Sequence, residues 1–406
     1  LSTLADAFVL HDRDIHVPCD DSVMRVLDGA EYPIRRSRGY APFPVPLPFA
    51  VPPILGTGGE LKATFCLGAG RDGFMSQHVG DMENLETLDS FARAVDHFID
   101  LFRIEPELIA ADLHPGYLST KWAEQRSLPG VKVQHHHAHV ASVMAEHGVI
   151  EPVIGFSFDG TGYGTDGTVW GGEILVADYE GFQRVGHLKA TPLPGGDAAV
   201  KHPARMALSH LRTAGIPWSE DLPPVAALTT AERALLETQL ERGINTIPTT
   251  SMGRLFDAVS AIAGVRQTVT YEAQAAIEFE ALIDVSEGGT YAFAVVEQDE
   301  SLVIDPASVL CSIANDVVGG ESAGTIAARF HRSVAEVIVE TAERVRRRTG
   351  LTTVGLSGGV FQNVTLTHAT RTALTEKGFE VLLHRLVPPN DGGLALGQAV
   401  IASARR

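Results

Sequence analysis

The rhythm of apolar and polar positions changes along this chain, and each change predicts an element. Val131 and Val133 alternate with polar residues as in a strand. They lead into His135-His136-His137-Ala138-His139-Val140-Ala141-Ser142-Val143-Met144-Ala145-Glu146, whose small and apolar residues have helical spacing. If the helix opens near His135, then His135 and His139 share one face about one turn apart, close enough to grip one metal ion. His136 and His137 point elsewhere. Upstream, residues 4–10 have a helical pattern and 20–26 read as a turn into a strand.

Farther along, 60–68 and 73–80 read as short strands, 85–102 as a helix and 108–113 as a buried strand. Strand patterns return at 153–162, 170–177 and 182–188. Strands followed by a helix, twice over, predict two similar α/β lobes facing each other across a cleft, lobe I over about 54–152 and lobe II over about 153–390. A long amphipathic helix over 323–348 precedes a buried strand that ends in Ser357-Gly358-Gly359. A small-residue helix over 391–404 closes the chain and is expected to pack back. Prolines crowd 42–53, and residues 46–53 read as an extended linker; residues 1–45 then read as the end of a domain that starts outside this chain.

Composition narrows the classes. With 406 residues, 45% hydrophobic and 20% charged, the chain is globular and large enough for two or three domains. A net charge of -18 argues against a broad nucleic-acid face. No apolar run is long enough to span a bilayer, so no membrane partner is expected. Three dispersed cysteines form no Cys-x-x-Cys pair and suit a reducing cytoplasm.

Candidate chemistry sits at strand ends and loops. The His135/His139 pair fits a metal or a satisfied histidine face equally, and the zinc-peptidase pattern fails because His136 stands at the glutamate position. Asp159-Gly160-Thr161-Gly162 puts a carboxylate at a strand end, as a ligand approach or as an ordinary hairpin turn. Asp391, in Pro388-Pro389-Asn390-Asp391-Gly392-Gly393, is either a helix cap or a metal ligand. The Ser357-Gly358-Gly359 loop frees backbone N–H groups toward a phosphate, without a Walker or dinucleotide fingerprint. Asp257 and Glu272 suit ribose hydroxyls or helix solvation, and the Arg35-Arg36-Ser37-Arg38 cluster suits a solvated turn or an anion contact.

Four of these motifs together resemble the HypF family, the carbamoyltransferases of [NiFe]-hydrogenase maturation. They are Val-Gln-His-His-His-Ala-His-Val-Ala at 133–141, Phe-Asp-Gly-Thr-Gly-Tyr-Gly-Thr-Asp-Gly-Thr-Val-Trp-Gly-Gly-Glu at 158–173, Leu-Ser-Gly-Gly-Val-Phe-Gln-Asn at 356–363 and Pro-Pro-Asn-Asp-Gly-Gly at 388–393. The resemblance implies that residues 54–406 form a two-lobed transferase domain of the actin/Hsp70/sugar-kinase type, a duplicated ribonuclease H-like α/β fold. It implies that 1–45 are the tail of a YrdC-like domain.

By the same resemblance, His135, His139, Asp159 and Asp391 would hold one divalent metal, zinc or iron(II), and carry the catalysis. Magnesium is a further candidate beside the nucleotide. Ser357, Gly358, Gly359 and Asn363 would line the site of ATP or carbamoyl-adenylate, with Asp257 on the ribose. The acceptor implied is the C-terminal cysteine thiolate of HypE. With most of the YrdC-like body outside it, this chain is expected to transfer carbamoyl from supplied adenylate rather than make the adenylate. A small-molecule O-carbamoyltransferase, a kinase of the same fold and a nucleotide-gated binding module are the alternatives.

Overall fold

A computed structural model describes residues 3–406, which form two large sheets and a separate two-stranded hairpin. The smaller sheet has the strand order Cys66–Met75, Pro44–Gly56, Leu108–Asp112, Gly130–Val133; the first pair is antiparallel and the others parallel. On it packs the helix Leu85–Phe102, capped by Asn84 and ended by Arg103 in the left-handed region. Its buried residues, Phe91, Ala94, Val95 and Phe98, fall at spacings of three and four, so one stripe faces the core. The larger sheet has nine strands, with Val153–Tyr163 at its centre between Val169–Ala177 (antiparallel) and Thr353–Ser357 (parallel). The long helix Ala323–Thr349 covers this second lobe.

Between the lobes runs the helix His135–Glu146. Residues His135 to Ala145 are all buried, because the helix touches both sheets and the C-terminal helix Leu394–Ala404. That burial explains why its pattern is small and apolar on every side rather than striped. The two helices meet closely at one point. A Cβ on Gly397 would lie 1.9 Å from the Ala138 carbonyl oxygen, so only glycine allows the crossing.

Three expectations change. The prolines of 46–53 do not make an extended linker: Pro44–Gly56 is one strand, with Val45 and Leu47 buried and Pro44 and Pro46 exposed. It pairs on both sides only at Ile54, Leu55 and Gly56; upstream its sole neighbour is Cys66–Met75, with register slips after Pro46 and Val51. Prolines are tolerated there because a one-sided, bulged ladder has backbone N–H positions to spare. The strands read at 60–68 and 73–80 are one strand, Cys66–Met75. Residues 4–10 are not helical: Leu4, Val9 and Leu10 are exposed, and without a buried face the apolar spacing has nothing to drive a helix.

The hairpin Val23–Leu27/Ala30–Arg35 docks on the second lobe through Tyr32, whose hydroxyl donates to the Phe361 carbonyl at 2.9 Å, and through the Arg25–Glu280 ion pair at 2.6 Å. Arg36 is neither solvated nor an anion contact; it is buried and donates to the carbonyls of Met75, Tyr40 and Phe43. Among the described residues no helix is long and apolar enough to cross a membrane.

Candidate metal and nucleotide site

The strand Gly130–Val133 ends at Gln134, whose side-chain oxygen accepts from the His137 backbone N–H at 2.8 Å and caps the helix. That start places His135 and His139 one turn apart, with ring centroids 5.0 Å from each other. Asp159 comes from the second lobe, where the strand Val153–Tyr163 slips register between Phe158 and Gly162. The bulge turns its carboxylate toward the helix, and Asp159 Oδ1 accepts from the N–H groups of Gly160 (2.7 Å) and Gly359 (3.2 Å). Asp391 opens a 3-10 turn, Asp391–Gly393. The cap there is Asn390, whose oxygen accepts from Gly392 N–H at 2.9 Å, so Asp391 is not engaged as a cap.

These four side chains converge. His139 Nε2 lies 2.9 Å from Asp159 Oδ2 and 3.5 Å from Asp391 Oδ1; His135 Nε2 lies 3.6 Å from each carboxylate. All four ligand atoms fall within 4.8 Å of one another. Atoms held about 2.1 Å from one tetrahedral ion stand roughly 3.4 Å apart, so the spacing suits a cation such as zinc. His135 Nε2 is buried with no hydrogen-bond partner and faces both carboxylates, so it is placed to ligate such an ion once the ion displaces its proton.

The four groups set one another's charge. Burial opposes a charge on His135, but Asp391 and Asp112 hold it well above the ordinary histidine range. His139 is raised against burial by hydrogen bonds to Asp159 and Asp391. Burial works to raise both carboxyls, yet His135 and His139 hold Asp159 well below its usual range and Asp391 down to about 2. Two imidazoles and two carboxylates are a donor set for zinc or ferrous iron.

Asp159 also lines a cavity of about 570 Å³ that opens beside the cluster. Asp257, Glu272, Gly359 and Asn363 face it, joined by Lys62 from the first lobe and Arg25 from the hairpin. Asp257 pairs with Arg254 at 2.9 Å, and Lys62 pairs with Glu272 across the cleft. Burial pushes the Asp257 carboxyl up, with Arg254 opposing.

The model described as "Carbamoyltransferase, Kae1-like Domain, second subdomain" matches residues 155–398, and that described as "HypF Kae1-like domain" matches 50–146. The chain belongs to the HypF carbamoyltransferase family. It is 41% identical to the carbamoyltransferase HypF of Rhizobium leguminosarum bv. viciae over 99% of this chain and 52% of that protein. It is 39% identical to a HypF homolog of Cupriavidus necator, covering 86% of this chain and 91% of that one. A full-length HypF solved in a phosphate- and nucleotide-bound form superposes with a TM-score of 0.94 at 44% identity, over 99% of this chain and 63% of that one. The chain spans about half the length of most curated relatives it matches. Its two-lobed α/β architecture is that of the HypF Kae1-like domains.

Two residues expected to line a nucleotide site, Ser357 and Gly358, are not among those lining this cavity. Ser357 is buried at its strand end and does not line the cavity; its hydroxyl sits 2.9 Å from His384 Nε2 and 3.4 Å from His139 Nδ1. Gly358 is also outside the lining. It has φ +100°, and a Cβ there would stand 2.3 Å from the Phe158 carbonyl oxygen, so its glycine serves close strand packing. Asn363 lines the cavity but is partly committed: its Oδ1 caps the helix Val364–Glu376 and its Nδ2 donates to His331 Nε2 at 2.8 Å. Sequence reasoning missed Asp112, whose Oδ2 accepts from His135 Nδ1 at 2.8 Å in full burial. The signal was there: a lone aspartate ends the apolar strand Leu108–Asp112.

Proposed function

We propose that this chain is the carbamoyl-transferring part of a HypF enzyme. It takes carbamoyl-adenylate, made upstream from carbamoyl phosphate and ATP, and passes the carbamoyl group to the C-terminal cysteine of HypE. The thiolate sulfur forms a bond to the carbamoyl carbon, the bond from that carbon to the phosphate oxygen breaks, and AMP leaves with the electron pair. The product serves the cyanide ligands of a [NiFe] hydrogenase, and three cysteines without a disulfide partner suit work in the cytoplasm.

The single observation that carries this reading is Asp159, which belongs at once to the histidine–aspartate cluster and to the cavity wall. A nucleotide bound in the cavity therefore has its reactive end beside the cluster. His135, His139, Asp159 and Asp391 would hold zinc or iron(II), which when bound supplies Lewis-acid polarisation of an oxygen on the substrate. Asp257 would accept from the ribose hydroxyls, while Gly359 and Asn363 border the nucleotide. Lys62, held close by Glu272, presents a positive charge toward the phosphate. Magnesium would travel with ATP in the upstream step rather than in this cluster.

The test is carbamoyl transfer to a HypE tail peptide, with supplied carbamoyl-adenylate or with carbamoyl phosphate and ATP. Transfer from the adenylate alone is expected, together with metal in the purified protein that is lost in His135→Ala/His139→Ala. Equal rates from both substrate sets would refute the division of labour. Undiminished transfer by the double variant would refute the site.

A further inference from the structure

The two imidazoles of the cluster are backed differently. Behind His135 stands one carboxylate, Asp112. Behind His139 runs a buried string: Ser357 Oγ at 3.4 Å from Nδ1, then His384 Nε2 at 2.9 Å from that hydroxyl, then Glu146 Oε1 at 2.6 Å from His384 Nδ1. His384 Nδ1 and Glu146 Oε1 have no aligned hydrogen bond, and their 2.6 Å approach is a buried imidazole–carboxylate contact with no competing partner. Glu146 is fixed in turn, because its second oxygen accepts from the N–H groups of Arg385 (2.9 Å) and Leu386 (2.6 Å). The side chains of His384 and Glu146 are 0% and 1% exposed. None of the three belongs to the cavity or to the cluster itself.

We propose that Ser357, His384 and Glu146 are positioning residues that keep a proton on His139 Nδ1, so that Nε2, which faces Asp159 and Asp391, is the nitrogen a metal takes. The direction of the string follows from donor chemistry. An ionised carboxylate only accepts, so His384 gives its Nδ1 proton to Glu146 and keeps a lone pair on Nε2. Burial holds His384 below the ordinary histidine range, in its neutral form. That lone pair takes the single Ser357 hydroxyl proton, and the hydroxyl oxygen then accepts from His139 Nδ1–H. Ser357 Oγ also lies 3.5 Å from the Pro389 carbonyl oxygen, but the His384 nitrogen at 2.9 Å is the closer acceptor. A partner that fixes the outer nitrogen of a ligating imidazole typically changes metal affinity 10–100-fold.

The inference rests on the metal reading above, and the experiment separates the two. Zinc alone is titrated into the whole chain against a competing chelator, for wild type, Ser357→Ala, Glu146→Gln and His135→Ala/His139→Ala. Selective 15N-histidine spectra report the His139 Nδ1 proton and its exchange with solvent. Ser357→Ala removes one atom from a packed site, and Glu146→Gln keeps shape while losing the charge that sets direction, so one reports if the other misfolds. Expected are 10–100-fold weaker zinc binding in both and faster solvent exchange of the His139 Nδ1 proton in the zinc-loaded variants. Affinities within threefold of wild type, with the His139 Nδ1 proton exchanging as slowly as in wild type, overturn the proposal. Wild-type zinc binding by the double histidine variant overturns the metal reading instead.

Discussion

The histidine–aspartate cluster and the cavity beside it share Asp159 but treat charge in opposite ways. Around the cavity the other charged side chains are already matched: Lys62 with Glu272, Arg254 with Asp257 and Arg25 with Glu280. In the cluster three carboxylates, Asp112, Asp159 and Asp391, surround two imidazoles, so neutrality requires protons or an added cation. A ligand entering the cavity exchanges partners among existing pairs. The cluster instead needs positive charge brought to it, and it is held rigid to receive that charge.

The largest expected break is Asp159→Asn, which injures both regions. It takes one anionic ligand from the cluster and alters the cavity wall, so carbamoyl transfer should fall roughly a thousandfold, several kcal/mol of lost stabilisation. Metal content and nucleotide binding should fall together, measured by elemental analysis and calorimetry. If only one falls, the regions are not joined through this residue.

Next comes an acid-lability background that belongs to neither region. Burial holds His210 down to about 4 against an ordinary 6.5. Below pH 6.5 the unfolded chain takes up the proton that the folded chain refuses, so stability is complete above that pH and is lost as pH falls toward 4, by on the order of 3 kcal/mol. Melting temperature against pH should show the decline, and His210→Leu should flatten it. An unchanged slope in that variant would place the acid sensitivity elsewhere.

Asp112→Asn sharpens the comparison from the cluster side. Zinc affinity is expected to drop 10–100-fold by chelator competition, with nucleotide affinity unaltered. Asp257→Asn does the reverse. Nucleotide binding should weaken about tenfold, the scale of one charged hydrogen bond, while metal content stays at wild type. Loss of metal in this variant would mean that the two regions are a single unit.

Much of the cluster was readable in advance, and the reasons are local. The spacing of His135 and His139 settles their shared face as soon as a helix begins at the Gln134 cap. The helix Leu85–Phe102 has the limits that its apolar stripe predicts. Errors arose where neighbours outside the window decided. Proline content outweighed the alternation of Val45 and Leu47, because only the sheet shows that the prolines face an unpaired side. Ser357 read as a phosphate loop because strand, glycine and helix start are common to many sites; its burial against His139 and His384 depends on Leu382 and Gly355 pairing in the sheet. His384 itself had no pattern to distinguish it.

By itself the sequence determined the alternation of strands and helices, the two-lobed architecture and the pair of imidazoles on one helix, because these follow from period and capping within a few residues of each position. Only the tertiary structure decided which carboxylates meet those imidazoles and which stand behind them. Asp112, Asp159 and Asp391 come from three separate strand ends or turns, and their meeting depends on how both sheets close around the helix His135–Glu146. A side chain's face is set by its own backbone; its partners are set by the whole fold.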